Sequence, residues 1–402
     1  MSDDWRSHGS RGRSPDPRRL AEFTEMLHRL ERERQDALVE VDRILRQTAR
    51  SDIGTLAERT ELRTAGALDR LTDLIAEELT RDPPYAEALA LLAHSIAEVL
   101  PPVYPTVTVR QLRAQAWRDL GKVRSFLARH AEALDAFAHA EAVLEEGYML
   151  GHDLALVRLN VALTYQEVGR FEEARALIAE CKTVLHNYGD IALYVLAGFY
   201  EGVLLQRLQQ YREAREVLLL TMASFDKIPP GTLAALHHAI GLCSMELRDF
   251  EPAEHHIAKG IEMFRSLRQP IDAINGEYAR GRLLLRKGRL EAAIQHLEPV
   301  RHQFLKHSMA EEAGLCGLEI VEGLLALNHA ARAERLARTV VSEFLAAGLS
   351  ERAITAVGWL TEAIAAKKAG RRHVTHVRDY IVSLRAHPER EFTLEIPPRD
   401  GE

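Results

Sequence analysis

The sequence is short of several residue types, and each shortage argues against a class of protein. Aromatic residues make up 6% of the 402 positions, and the Val-, Ile- and Thr-rich runs typical of strands are nearly absent. The three cysteines are odd in number and far apart, which argues against a disulfide framework. No apolar run reaches the roughly 18–20 residues that cross a bilayer, so no membrane partner is expected.

Two further shortages concern location and charge. The first residues lack the apolar segment of a secretory signal, so a cytoplasmic location is expected. The formal net charge is -7, whereas general nucleic-acid binders carry a basic field. Nucleic acid is therefore not an expected partner.

The residues that are abundant indicate helices. Hydrophobic residues make up 47% of the chain, with Ala and Leu dominant, which is typical of helices in close contact. Helices are predicted over 19–48, 56–80, 84–100, 351–368 and 372–386. The predicted divisions are a disordered tail over 1–18, N-terminal helices with a degenerate repeat over 19–106, helical repeats over 107–350, capping helices over 351–387 and a disordered tail over 388–402.

Small residues recur in the middle of the chain at a nearly constant spacing. One register is separated by 41, 40, 39, 40 and 40 residues and consists of Ala133, Ala174, Ala214, Ala253, Ala293 and Ala333. A second register lies twelve residues before each of these alanines and consists of Gly121, Ala162, Gly202, Gly241, Gly281 and the exception Val321. Since close packing of two helices needs small side chains, the two registers are expected to face each other where paired helices cross.

These positions resemble the tetratricopeptide repeat (TPR) family. The pattern W-x2-L-G followed by A-x3-F is present as Trp117, Leu120 and Gly121, then Ala133 and Phe137. The period of about 40 departs from the usual length of about 34 residues, and Arg124 stands where the family has Tyr. The longer period is similar to that of stand-alone bacterial TPR proteins. The resemblance implies an all-α superhelix, a TPR solenoid of about six to eight helical hairpins, whose first helices line a concave groove that holds a protein or peptide.

The register assigns specific side chains to that groove. An apolar middle with cations at both ends favours an amphipathic helix or apolar peptide with acidic flanks. A competing interpretation is that the 19–48 helix covers the apolar strip. The predicted groove residues are Arg118, Lys122, Leu159, Leu163, Gln166, Phe199, Val203, Gln206, His238, Leu242, Tyr278 and Arg282, with Leu318 and Glu322 at the same positions of the last repeat.

No constellation of catalytic or cofactor-binding residues is evident. Neighbouring residues on a helix point in different directions, so the pairs His237-His238 and His255-His256 do not indicate a metal site. Cys181, Cys243 and Cys316 stand in apolar context and are expected to be buried thiols. We therefore predict a non-catalytic protein without cofactor or metal.

Two alternatives concern partners. The segment 55–68 weakly resembles the turn region of a helix-turn-helix, which would make the chain a TPR-containing transcriptional regulator. The 19–48 helix has a weak coiled-coil-like seam, so self-association into a homo-oligomer is also open.

Overall fold

A computed structural model of the chain describes residues 17–79, 81–146, 151–223, 228–384 and 387–394. All regular structure in these ranges is helical, which confirms the predicted all-α class. The chain divides into two compact units, residues 1–160 and 161–402. The boundary falls inside one helix, Gly151–Glu167. The predicted tail over 1–18 lies outside the described residues up to position 16.

The first unit consists of a long helix, two short 3-10 helices and further α-helices. The long helix packs on the one that follows the 3-10 segment, and the next two helices continue the stack. The helices are α1 (Pro17–Gln47), the 3-10 helices Arg50–Glu58 and Thr60–Leu62, α2 (Ala65–Glu78), α3 (Pro83–Glu98), α4 (Thr106–Phe126), α5 (His130–Glu145) and the start of α6 (Gly151–Glu167).

The prediction of a helix from residue 56 is wrong, because α2 begins at Ala65. The backbone of Thr64 is extended, and its hydroxyl accepts a hydrogen bond from the Ala67 N–H at 3.1 Å, which starts a new helix. The preceding 3-10 segment buries Leu56 and Leu62. The segment 55–68 therefore lacks the first α-helix of a helix-turn-helix, and that alternative is not supported.

The apolar side of α1 is used inside the first unit. Ala37, Val41 and Ile44 are buried in one core with Leu68 and Leu71 of α2. These α1 side chains therefore pack within their own unit.

The second unit continues the helical hairpins. Each first helix packs on the second helix of its hairpin and on the next hairpin. The helices are the end of α6, α7 (Phe171–Tyr188), α8 (Ile191–Arg207), α9 (Tyr211–Ala223), α10 (Pro230–Glu246), α11 (Phe250–Ser266), α12 (Pro270–Arg286), α13 (Leu290–Lys306), α14 (Ala310–Ala326), α15 (Ala330–Ala346), α16 (Glu351–Ala365) and α17 (Arg371–Ser383).

The alanine register lies in the hairpin cores as predicted, but its contact partners differ from the prediction. All six alanines are fully buried. A Cβ added to Gly241 would lie 2.7 Å from Ile257, and one added to Gly281 would overlap Leu297. The first-helix glycines thus make room for the large residue four positions after the alanine, because that side chain fills the space where the helices cross.

The turn inside each hairpin has one residue in the left-handed backbone region. The N–H of the residue after it reaches back to a carbonyl in the last turn of the first helix, as from Gln210 to Leu205 at 2.9 Å and from Arg289 to Leu284 at 3.0 Å. This is the Schellman pattern, which ends a helix and fixes the direction of the next one. The left-handed residues stand five positions before each core alanine and are Ala128, Gly169, Gln209, Arg248, Gly288 and Asn328.

The start of the C-terminal segment contacts the last two helices. Phe392 lies against the rings of Trp359 and Tyr380, with centroids 5.4 and 4.9 Å apart, and the Tyr380 hydroxyl donates to the Arg390 carbonyl at 2.8 Å. An aromatic side chain in reach of two others buries apolar area against them. The disordered tail over 388–402 stays a prediction.

Candidate partner-binding face

The predicted groove residues are divided between the two units. Arg118, Lys122 and Leu159 belong to the first unit, and the other nine belong to the second. Two members are covered, because Leu159 is 2% and Gln166 1% exposed. The half-buried members on α8, α10 and α12 are here called the first-helix face and consist of Phe199, Val203, Gln206, His238, Leu242, Tyr278 and Arg282.

In the first unit the predicted groove cations serve a buried carboxylate. Asp119 is 1% exposed and accepts a hydrogen bond from the Thr72 hydroxyl at 2.8 Å. Arg118 lies 3.3 Å and Lys122 3.6 Å from the same carboxylate. A buried carboxylate needs such partners, so these cations are engaged inside the unit. Asp119 is not among the predicted site residues, although an acidic residue beside the core positions Leu120 and Gly121 indicates a buried carboxylate.

Arg118 also borders a cavity of about 290 Å³ in the first unit. Its polar groups are paired with one another, as between Arg34 and Asp69 at 2.5 Å and between Gln111 and Asp153 at 2.8 Å. The cavity is therefore a polar recess whose charges are largely balanced within the unit.

The glutamines at the predicted groove positions link neighbouring first helices. Gln206 donates to the Ala239 carbonyl at 2.8 Å and contacts the Cys243 sulfur at 3.0 Å, which ties α8 to α10. Gln166 stands in the same register one repeat earlier and donates to the Tyr200 carbonyl at 3.5 Å. These amides thus hold adjacent repeats together, and the apolar neighbours provide the accessible surface.

Arg282 lies between two carboxylates. It is 3.0 Å from Glu246 on α10 and 3.3 Å from Glu319 on α14, and its guanidinium lies 5.9 Å from the centre of the Tyr278 ring. Burial raises the pKa of the Tyr278 hydroxyl, so this side chain stays neutral at physiological pH. All three predicted groove cations thus take part in ion pairs within the fold: Arg118 and Lys122 share the single carboxylate of Asp119, and Arg282 lies between Glu246 and Glu319. The acidic flanks expected on a ligand stay a prediction.

Helix α17 covers the same positions on α14. Leu318 is 0% and Glu322 7% exposed, and Leu318 shares a core with Val374 and Val377 of α17. Arg378 of α17 lies 2.7 Å from Glu319 and 3.6 Å from Glu322. At this end of the second unit, an amphipathic helix of the chain itself thus occupies the first-helix positions.

Histidines of the α10–α11 hairpin form a contact that was not predicted. His237 and His256 lie with their Nδ1 atoms 3.0 Å apart, and they come from different helices, so their spacing along the chain does not indicate the contact. Burial lowers the pKa of His237 and of His238 to about 4. Within the described residues there is no group of three or more His, Cys, Asp or Glu side chains placed to hold a metal ion.

The cysteines are structural. Cys181, Cys243 and Cys316 are buried, and none of them is in a disulfide. Burial raises the pKa of Cys316 to about 12, which is opposite to what a nucleophilic thiolate requires. Among the described helices, none is long and apolar enough to span a bilayer. The cytoplasmic location stays a prediction.

No family model matches the sequence, and no curated protein matches it. Among solved structures, aspartyl phosphate phosphatase F from Bacillus subtilis is similar with a TM-score of 0.54 and 14% identity, covering 83% of this chain and 85% of that one. A Rap protein complexed with competence and sporulation factor gives a TM-score of 0.55 and 14% identity, covering 90% of this chain and 98% of that one.

A signal transduction ATPase with a tetratricopeptide repeat sensor, from Pyrococcus horikoshii, gives a TM-score of 0.56 and 12% identity. The similarity covers 89% of this chain but 53% of that longer one. At such identities the shared property is the fold, an array of helical hairpins.

Proposed function

We infer the function from one premise: the chain is a TPR-type helical-repeat protein, as its helical hairpins and its structural neighbours agree. We propose that it is a non-catalytic scaffold or regulator that binds a protein or peptide on the first-helix face of the second unit. The observation that carries this proposal is the contrast between half-buried apolar side chains on α8 and α10 and the covered positions on α14.

The chemistry of the face favours an apolar ligand. Phe199, Val203 and Leu242 are half-buried and present aliphatic and aromatic surface, while Arg282 is neutralised by Glu246 and Glu319. A ligand gains most by burying its own apolar side chains there, at about 25 cal/mol per Å² removed from water. Acidic flanks would gain less than apolar side chains, because each cation of the predicted set already has an ion-pair partner in the fold.

Helix α17 suggests the form of the ligand. It packs on α14 with Val374, Val377 and Ile381, which recur at the spacing of one helix face. By analogy, we expect the first-helix face of α8, α10 and α12 to accept an amphipathic helix with apolar residues at i, i+3 and i+7. The structurally similar Rap protein was solved with a bound factor, which agrees with ligand binding by this fold.

A peptide-display selection on the immobilised full chain tests the proposal. We expect the enriched peptides to share the i, i+3, i+7 apolar pattern and to bind in fluorescence polarisation. Val203→Glu and Leu242→Glu place a charge in the apolar contact and should weaken binding at least about tenfold, or 1.4 kcal/mol.

The matched control is Leu220→Glu. Leu220 lies on the second helix α9 and is 67% exposed, so its substitution should leave both folding and peptide affinity unchanged. Peptides that bind the Val203→Glu and Leu242→Glu proteins as tightly as the unaltered chain would refute the assignment of the face. Circular dichroism and thermal melting establish that each variant is folded.

A further inference from the structure

The α10–α11 hairpin brings two imidazoles together away from the first-helix face residues discussed above. His237 on α10 and His256 on α11 are both half-buried, with Nδ1 atoms 3.0 Å apart and ring centroids 5.0 Å apart. His255 is exposed, and its ring meets that of His256 edge-on at 5.3 Å. Two imidazole nitrogens from two helices thus lie close enough for both to bind one metal ion after a small movement of the rings.

We propose that His237 and His256 bind a divalent transition-metal ion, of the class Zn²⁺, Cu²⁺ or Ni²⁺, between α10 and α11. Imidazole nitrogen is a preferred ligand of these ions. Water completes the coordination, since the described residues offer no third ligand, whether carboxylate, thiol or imidazole, at the same point. The ion would join the two helices of one hairpin.

The distance between the nitrogens fits with a small adjustment. Zn–N bonds of about 2.0–2.1 Å at a tetrahedral angle place two ligand nitrogens about 3.3–3.4 Å apart. The present 3.0 Å is that of an N–H···N hydrogen bond, in which one Nδ1 carries the proton. Metal binding moves that proton to Nε2 of the same ring, which leaves the charge of the ring unchanged, and the rings separate by a few tenths of an ångström.

The electrical state of the site is compatible with a cation. Burial lowers the pKa of both His237 and His256, so both rings are neutral at pH 7 and the ion does not have to displace excess protons. The exposed His255 acts on both rings and the charged Lys259 acts on His237, where its charge opposes a cation. We therefore expect moderate affinity, as for two protein ligands with water.

The next hairpin provides an internal comparison. Glu277 and His296 stand 40 residues after His237 and His256, and their side chains meet at 3.1 Å. Arg265 and Arg280 also contact this carboxylate, at 2.5 and 3.4 Å. The Glu277 carboxylate is thus already neutralised by cations, and a metal ion is not expected at that pair.

Titration of the full chain with Cu²⁺ and with Zn²⁺, followed by calorimetry, tests the proposal. We expect one dominant equivalent, with affinity lowered at least about tenfold in His237→Gln and in His256→Gln. His255→Gln and His296→Gln are the matched controls and should bind as the unaltered chain does. Comparison among variants is needed because the chain has 18 histidines.

A spectroscopic measurement on the unaltered chain keeps the test independent of variant folding. The electron paramagnetic resonance spectrum at one equivalent of Cu²⁺ should show coupling to two imidazole nitrogens. If the His237→Gln/His256→Gln double variant retains the first equivalent at full affinity, or if that spectrum shows no nitrogen coupling, the histidine pair is a hydrogen bond only. Neither result bears on peptide binding, since none of these substitutions is on a proposed ligand contact.

Discussion

The first-helix positions of α12 and α14 occupy the same place in consecutive hairpins but have different surroundings. On α12, Tyr278 and Arg282 are half-buried, whereas Leu318 and Glu322 on α14 are buried and share a core or an ion pair with α17. The repeat itself therefore does not decide whether this face is open. At α14, the additional amphipathic helix α17 closes the face.

The ion pairs on α14 and on α12 also differ between the covered and the open region. On α14, Glu319 and Glu322 take part in ion pairs with Arg378 of the covering helix. On α12, Arg282 pairs with carboxylates of the neighbouring first helices and so remains within the repeat stack. The covered region thus uses ion pairs to hold its occupant, and the open region uses them to join repeats.

The largest expected effect comes from removing the ion pairs that hold α17 on α14. Arg378→Ala leaves Glu319 and Glu322 buried with less compensation, and we expect a loss of about 3–5 kcal/mol in the stability of the docked α17. Urea unfolding followed by Trp359 fluorescence measures it, because Trp359 stacks on His373 of α17.

The control for this change is Arg371→Ala. Arg371 also pairs with Glu322 but its side chain is 59% exposed, so the loss should stay below about 1 kcal/mol. Equal losses in the two variants would show that burial of Arg378 does not hold α17 in place.

An identical substitution in each region sharpens the comparison. Leu318→Ala, under α17, should lower the free energy of unfolding by about 2–5 kcal/mol, because it empties a fully buried site. Leu242→Ala, on the open face, should lower the free energy of unfolding clearly less, since its side chain is only half-buried. Denaturant titration of both variants checks the order, and a larger loss at Leu242 would mean that the face is covered.

The smallest effect concerns the hairpin cores that both regions share. Gly281→Ala introduces a Cβ that overlaps Leu297, and we expect a net loss of about 1–2 kcal/mol despite the better helix propensity of Ala. Gly358→Ala on α16 meets nothing within 4 Å and should gain about 0.5–1 kcal/mol. Thermal melting of the pair gives the two signs, and a gain at Gly281 would contradict the packing described for the crossing.

The repeat was predictable because its signal is local and recurs. Ala174 and Ala214 were placed in hairpin cores from spacing alone, since each must fit against its own partner helix. Contacts between hairpins were not predictable in this way. Arg282 meets Glu319 only after two repeats are stacked, and Arg378 reaches the same carboxylate from a helix beyond the repeats. A count of positions along one helix contains no information on such partners, so the ion pairs of the predicted groove cations could not be predicted.

The predicted start of a helix at residue 56 was wrong for a different reason. The stretch around Leu56 and Leu62 has helical apolar spacing, but its residues form 3-10 turns that bury these side chains before Thr64 begins α2. Periodicity alone does not separate a continuous helix from short turns with the same apolar spacing.

Four of the six turns that precede a core alanine place a residue other than glycine in left-handed backbone. These turns are sites at which the stability of the chain can be raised. Each of Ala128, Gln209, Arg248 and Asn328 has a positive φ of 58–61°, in a region that disfavours Ala, Gln and Arg by roughly 1–2 kcal/mol and Asn by less. A glycine at such a turn relieves that penalty without changing a residue proposed to contact a ligand. The thermal stability of this protein can therefore be adjusted at the turns of its hairpins, independently of the surface on which it is proposed to bind a ligand.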